Sequence, residues 1–204
     1  MKLYKSLVIT GLTKNDIFFK NFAGEERQYN ARGKRNFQLK LNSQSAIYRY
    51  GAPGAEEYYD VNNPEILNGF IAILTADGWH VKVEPATEQW PVRYSLKINV
   101  HYSETSGPHI YLVNNANQPI EIQPEALVTL DRNLIDYADI HISPFNYNEN
   151  EGGNDQSAYL RHMYFKFAVT DPLAEKYKAA GAPDQAMYMA PQDGGEEPEE
   201  LPFN

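Results

Sequence analysis

"VRYSLKINVHY", residues 92–102, is the stretch that decides the fold class. Tyr94, Leu96, Ile98, Val100 and Tyr102 alternate with Arg93, Ser95, Lys97, Asn99 and His101. A period of two puts the apolar set on one face of a strand and the polar, partly basic set on the other. The same alternation returns in Phe37, Leu39 and Leu41 against Asn36, Gln38 and Lys40. Both strands therefore read as half-buried, with basic outer faces, in an antiparallel and mostly β domain.

Working outward, "LYKSLVITGL", "NFQLKL", "WHVKV", "HIYLV", "PIEIQ", "ADIHISPF" and "AYLRHMYFKFAV" are further short runs of branched and aromatic residues, separated by Gly, Pro and Asn. One helix interrupts them. Asn63 is its N-cap, Pro64 its first residue and Gly78 its terminator, with Ile66, Leu67, Phe70, Ile71 and Leu74 on one stripe. Shorter helical turns are expected at Pro124–Asp131 and Pro172–Lys178. "SAIYRYGAPGAEEYYDV", residues 45–61, reads as a projecting hairpin with "GAPG" as its turn. This pattern suits a small barrel such as the oligonucleotide-binding (OB) fold, with added hairpins because the strands exceed five. The expectation is a mainly β, elaborated OB-fold barrel with one main helix over residues 1–178, and a disordered acidic tail over residues 179–204.

Length and composition agree with one core. The chain has 204 residues, 42% of them apolar, enough for a well-buried domain plus a tail. No apolar run approaches the roughly 20 residues of a membrane span, and the N-terminal stretch lacks a small-residue cleavage site. No membrane association and a cytoplasmic location are expected. Zero cysteines remove thiol nucleophiles, disulfides and Cys-ligated zinc. The net charge of −9 argues at first against a nucleic-acid partner, but it is unevenly placed. Asp193, Glu196, Glu197, Glu199 and Glu200 carry more than half of the excess, while Lys20, Arg27, Arg32, Lys34, Arg35 and Lys40 outnumber Glu25 and Glu26 in the segment they span.

That basic segment, "FFKNFAGEERQYNARGKRNFQLKL" (residues 18–41), interleaves cations with aromatics. Single-stranded nucleic acid needs both, cations for its phosphates and flat rings for its bases. Arg27, Arg32, Lys34, Arg35 and Lys40 supply charge; Phe22 and Tyr29 supply rings, whereas the alternation sends Phe37 inward. A solvated turn bent at Gly24 and Gly33 fits the same residues. Tyr48, Arg49 and Tyr50 would make a stacking arm, although packed core tyrosines fit equally, and Arg93 and Lys97 extend the basic outer face.

The chain ends on "EEPEELPFN" (residues 196–204), carboxylates followed directly by Leu201, Pro202 and Phe203. An aromatic anchor flanked by charge is the composition of a short linear motif. This tip resembles the acidic end of bacterial and phage single-stranded-DNA-binding proteins. The body, through "FKNFAGEERQYNARGKRNFQLKL", "ADGWHVKV", "LVTLDRNLIDYADIHISPF" and "AYLRHMYFKF", is similar in order and spacing to phage-encoded OB-fold proteins of that kind. The resemblance implies a non-enzymatic protein that coats single-stranded DNA in replication, recombination or repair. It also implies that Glu199, Glu200, Leu201, Pro202 and Phe203 recruit replication or recombination proteins. Asn204 departs from the pattern by moving the terminal carboxylate one residue past Phe203. A homo-oligomer is compatible with it, and a β-rich scaffold that uses the tail only for protein contacts is the alternative.

Enzymatic readings find little support. His80, His101, His109, His141 and His162 show no HExxH and no helical pair spacing, and no phosphate-binding or nucleophile-elbow motif occurs. Asp131, Asp136 and Asp139 could gather around magnesium, but acidic residues near a turn are ordinary. No cofactor and no metal are expected.

Overall fold

Alternating branched residues make the first strand, β1 (Ser6–Thr13), which buries Leu7, Ile9 and Leu12. The computed structural model describes residues 4–103, 105–146 and 155–168. After β1 come β2 (Ile17–Asn21), β3 (Asn36–Lys40), β4 (Ile47–Ala52), β5 (Ala55–Tyr59), the helix α1 (Pro64–Ala76), β6 (Val81–Glu84) and β7 (Arg93–Asn99). They are followed by β8 (His109–Val113), β9 (Pro119–Glu121), a 3-10 turn at Pro124–Ala126 leading into the short helix α2 (Val128–Arg132), β10 (Ile135–Asn146) and β11 (Gln156–Phe167). The chain is mainly β with one main helix, as the alternation predicts. The predicted turn at Pro172–Lys178 and the acidic tail lie outside the described residues. Among the described residues no helix is long and apolar enough to cross a membrane.

The strands join one sheet in the order β2, β3, β7, β11, β10, β1, β4, β5. β1 pairs with β10 and β4, while β2 pairs with β3, so β1 and β2 act as one long strand bent at Lys14–Asp16. Asp16 makes the corner. Its buried carboxylate accepts the N–H and hydroxyl of Thr13, each at 2.8 Å, and its carbonyl accepts the N–H of Lys40 at 2.8 Å. From this bent strand the path runs through β3, β7, β11 and β10 and returns to it. The sheet thus closes on itself, with β7 and β11 parallel at Ile98↔Ala158 and Asn99↔Tyr159. A closed five-element Greek-key barrel is the OB architecture, and the β4–β5 and β8–β9 hairpins are its additions. The barrel interior takes the inward faces of all five elements, including Phe37, Leu39, Leu96, Ile98, Ile140 and Phe165.

The helices cover what the barrel leaves open. Asn63 caps α1 by accepting the N–H of Glu65 at 2.9 Å, and Gly78 (φ 90°) takes the left-handed turn that ends it. Phe70, Ile71 and Leu74 are buried, whereas Ile66, expected on the buried stripe, is 40% exposed at the helix start. The hairpin predicted at residues 45–61 forms, but α1 packs on it. Phe70 meets Tyr59 at 4.8 Å and Tyr48 at 5.9 Å between ring centroids. A free projecting arm is therefore excluded. α2 contributes Leu130 to the core, beside Leu127 at its N-cap, and sits against β2.

Candidate nucleic-acid interface

The outer faces of β2, β3, β7 and β11 form a continuous surface because the register aligns their outward residues in rows. One row runs Asn36, Asn99, Tyr159; a second runs Phe18, Gln38, Lys97. The loop between β2 and β3 rises over the first row. Side-chain amides shape the part that rises. Asn21 donates to the carbonyl of Glu25 at 2.9 Å and accepts its N–H at 3.0 Å, and Asn36 donates to Asn30 at 2.7 Å. Gly24 (φ 72°) is packed under the backbone of Gly33 (φ 82°), whose N–H it accepts at 2.8 Å.

Where this loop meets the sheet lies a groove of about 360 Å³ lined by Tyr29, Lys34, Arg35, Lys97, His101 and Tyr159, among others. Its chemistry is cationic and aromatic. Tyr29 is 89% exposed and presents its ring to solvent. Arg32, Lys34 and Lys97 are exposed, and among the described residues no ion pair engages them. Arg35 is half-buried, with its guanidinium 5.4 Å over the ring of Tyr102, whose phenol burial pushes above its ordinary pKa. Tyr159 stands edge-on to His101 at 6.3 Å and to Phe145 at 5.9 Å. Free cations beside exposed rings can hold phosphates and stack unpaired bases.

The structure sorts the predicted contacts. Tyr29, Lys34, Arg35 and Lys97 come together in the groove, with Arg32 on the same loop. Lys40 is half-buried beside Ser95 on the same sheet face. Arg93 is exposed there too, but it is held by Glu84 and lies 5.3 Å over the ring of Phe18. Arg27 donates to the carbonyl of Lys20 at 2.8 Å and braces the loop. Arg49 is exposed on β4, beyond β1 and away from the groove.

Three expected rings are withdrawn from solvent. Phe22 is fully buried, stacked on Phe37 at 5.1 Å, because the loop turns inward at Asn21 before it rises. Tyr48 is fully buried, donating to the carbonyl of Lys40 at 3.1 Å and accepting the N–H of Ser43 at 3.0 Å. Tyr50 is 3% exposed, donating to Asp77 at 2.9 Å and accepting from Trp79 at 2.9 Å. Burial raises both phenol pKa values. None of these three has a face to offer a base, so their assignment to DNA contact is corrected to core packing.

Sequence reasoning missed Phe18, Phe19, His101 and Tyr159 as candidate contacts. Phe18 and Phe19 stand in the basic segment and carried that signal, and His101 fell on the outward set of the opening stretch. Tyr159 joins the groove only through the parallel β7–β11 pairing, which no local pattern announces. Two of the aspartates weighed for magnesium serve as hydrogen-bond acceptors within the fold. Asp131 accepts the N–H groups of Phe22 and Ala23, each at 2.8 Å, and Asp139 accepts from Gly11 at 2.9 Å and from Tyr137 at 2.9 Å. Among the described residues no group of three or more His, Asp or Glu side chains is placed to hold a metal ion.

A family model described as "Putative phage ssDNA-binding domain" matches residues 2–51 and 48–198. The solved structure of the single-stranded DNA-binding protein from bacteriophage Enc34 in complex with ssDNA aligns over 82% of this chain and 89% of that chain, at 11% identity and a TM-score of 0.40. No curated protein matches the chain.

Proposed function

Because the chain belongs to the phage ssDNA-binding domain family, we propose that it holds single-stranded DNA across the outer face of β3 and β7, under the loop between β2 and β3. The observation that carries this reading is the groove in which the exposed Lys34 and Lys97 meet the exposed ring of Tyr29. Phosphates release counterions to the cations and bases stack on the rings, so binding is largely independent of sequence and weakens with salt. The face of the second and third barrel strands, here β3 and β7, and the loop between the first and second, here that between β2 and β3, are also where OB folds take oligonucleotides. The protein acts by coating the strand, with no bond made or broken.

In this reading the body serves phage DNA replication, recombination or repair in the host cytoplasm. The tail, through Glu199, Glu200, Leu201, Pro202 and Phe203, recruits the proteins that work on the coated strand. Fluorescence anisotropy with labelled oligo-dT tests the body. Binding at low salt that falls at moderate salt is expected. A folded protein that binds at neither salt overturns the proposal.

A further inference from the structure

Phe19 combines a left-handed backbone with an exposed side chain. Its φ is 49°, and its side chain is 72% exposed. Asn117 is the other non-glycine with positive φ among the described residues, and it occupies the β8–β9 turn, where asparagine is a usual occupant. A bulky residue in this conformation is strained, and core burial of Phe19 does not offset the cost.

The kink shifts the β2–β3 register between Phe18 and Asn21. As a result two consecutive rings stand together, Phe19 edge-on to Phe18 at 5.3 Å, with the guanidinium of Arg93 5.3 Å from Phe18 on its other contact. The next residues are clamped by α2. The Lys20 ammonium donates to the carbonyls of Leu130, at 2.5 Å, and Asn133, and Asp131 takes the N–H groups of Phe22 and Ala23. The clamp holds Lys20 in a half-buried site that lowers its pKa, with Asp131 offsetting part of that effect. Strain held this firmly, beneath a ring aimed at solvent, points to a ligand for the ring.

We propose that Phe19, backed by Phe18 and Arg93, is a second base-stacking subsite on the β2 flank of the surface, taking a nucleobase from the same strand whose neighbours lie in the groove of Tyr29 and Tyr159. The inference rests on the ssDNA reading above. Three interstrand steps, about 14 Å, separate β2 from β11, so a strand crossing β3 and β7 passes from one subsite to the other.

The test compares the full chain with Phe19→Gly and Phe19→Tyr, by oligo-dT anisotropy and by thermal unfolding. Phe19→Gly removes the ring and tolerates the backbone, so its unfolding midpoint should rise while its affinity falls roughly tenfold or more. Phe19→Tyr should keep wild-type affinity. Wild-type affinity in Phe19→Gly, with the parent protein binding normally, overturns the subsite and leaves the ssDNA reading standing. Lower stability together with lower affinity in Phe19→Gly would show a packing role and overturn it too. A parent protein that binds no oligonucleotide refutes both.

Discussion

The Nδ1 atoms of His141 and His162 face each other at 3.3 Å across β10 and β11. Their ring centroids are 5.6 Å apart with planes 8° from parallel. The nitrogen separation is shorter than the centroid separation by about a ring's width, which requires both nitrogens to lie on the line between the rings. The imidazoles are therefore edge to edge in one plane, where one Nδ1 can donate to the other only if that other is unprotonated, so the two cannot both be protonated at Nδ1 without breaking the contact.

Acid should loosen this pair. Burial, then the charge of the neighbouring histidine and of Arg161, lowers the pKa of both groups, with Glu56 acting the other way on His141. The ring of His109, tied to Glu121 at 2.7 Å, is the neighbour that lowers His162. Groups with depressed folded pKa values bind more protons when unfolded, so stability is whole above the ordinary histidine value of 6.5 and declines as pH falls below it. Urea unfolding at about pH 7.5 and 5.5 should show this decline, and His141→Gln should flatten it. An equal decline in the variant would remove the pair from the account.

Replacing Arg32, Lys34 and Lys97 together with alanine should weaken oligo-dT binding and reduce the slope of log affinity against log salt by about 2, at roughly 0.7 per phosphate contact for a single strand. Arg35 is left in place because it is half-buried with its guanidinium on the ring of Tyr102, so its loss would mix structure with binding. An unchanged slope would move the strand off this groove.

Tyr29 and Tyr48 should separate cleanly. Tyr29→Ala removes an exposed ring and should cost about 1–3 kcal/mol of DNA binding with little change in stability. Tyr48→Ala empties a fully buried site and should destabilise the fold by about 3–5 kcal/mol, the cost typical of large aromatic truncations. Anisotropy and denaturant midpoints, measured on both variants, check the two halves of this contrast.

Asp131→Ala should destabilise the protein by about 1–3 kcal/mol, since it leaves the N–H groups of Phe22 and Ala23 without their acceptor. It should also weaken DNA binding through the displaced loop. Full stability in this variant would show that water replaces the carboxylate.

Deleting residues 192–204 removes five carboxylates and no cation, so DNA affinity should hold or rise. A marked loss of affinity would contradict a tail that acts as a negative competitor of DNA.

Much of the barrel was legible because its strands are half-buried. The alternation through Leu96 and Ile98 assigned their faces, and Asn63-Pro64 announced α1. Faces were harder to assign at β4, where the aliphatic Ile47 is 44% exposed and Tyr48 is fully buried. There the large ring fills the space under α1, and side-chain volume outweighs hydropathy. His109, His162 and His141 looked unrelated along the chain, and only the register of β8, β11 and β10 makes them neighbours. Part of the groove was readable as composition in the basic segment. Its other wall, Tyr159, depends on a pairing between distant strands, which local patterns do not encode.

The bent strand also sets the order in which the protein can be made. Leu7 pairs with Ile142, and β7 receives β11 at Ala158, so the barrel cannot close until its last strand has been synthesised. Until then the emerging chain carries the unpaired edges of β1 and β7. Contacts this distant in sequence slow folding and leave an interval in which those edges can join other chains. Shielding them during translation is thus a demand of the architecture on the cell that makes it.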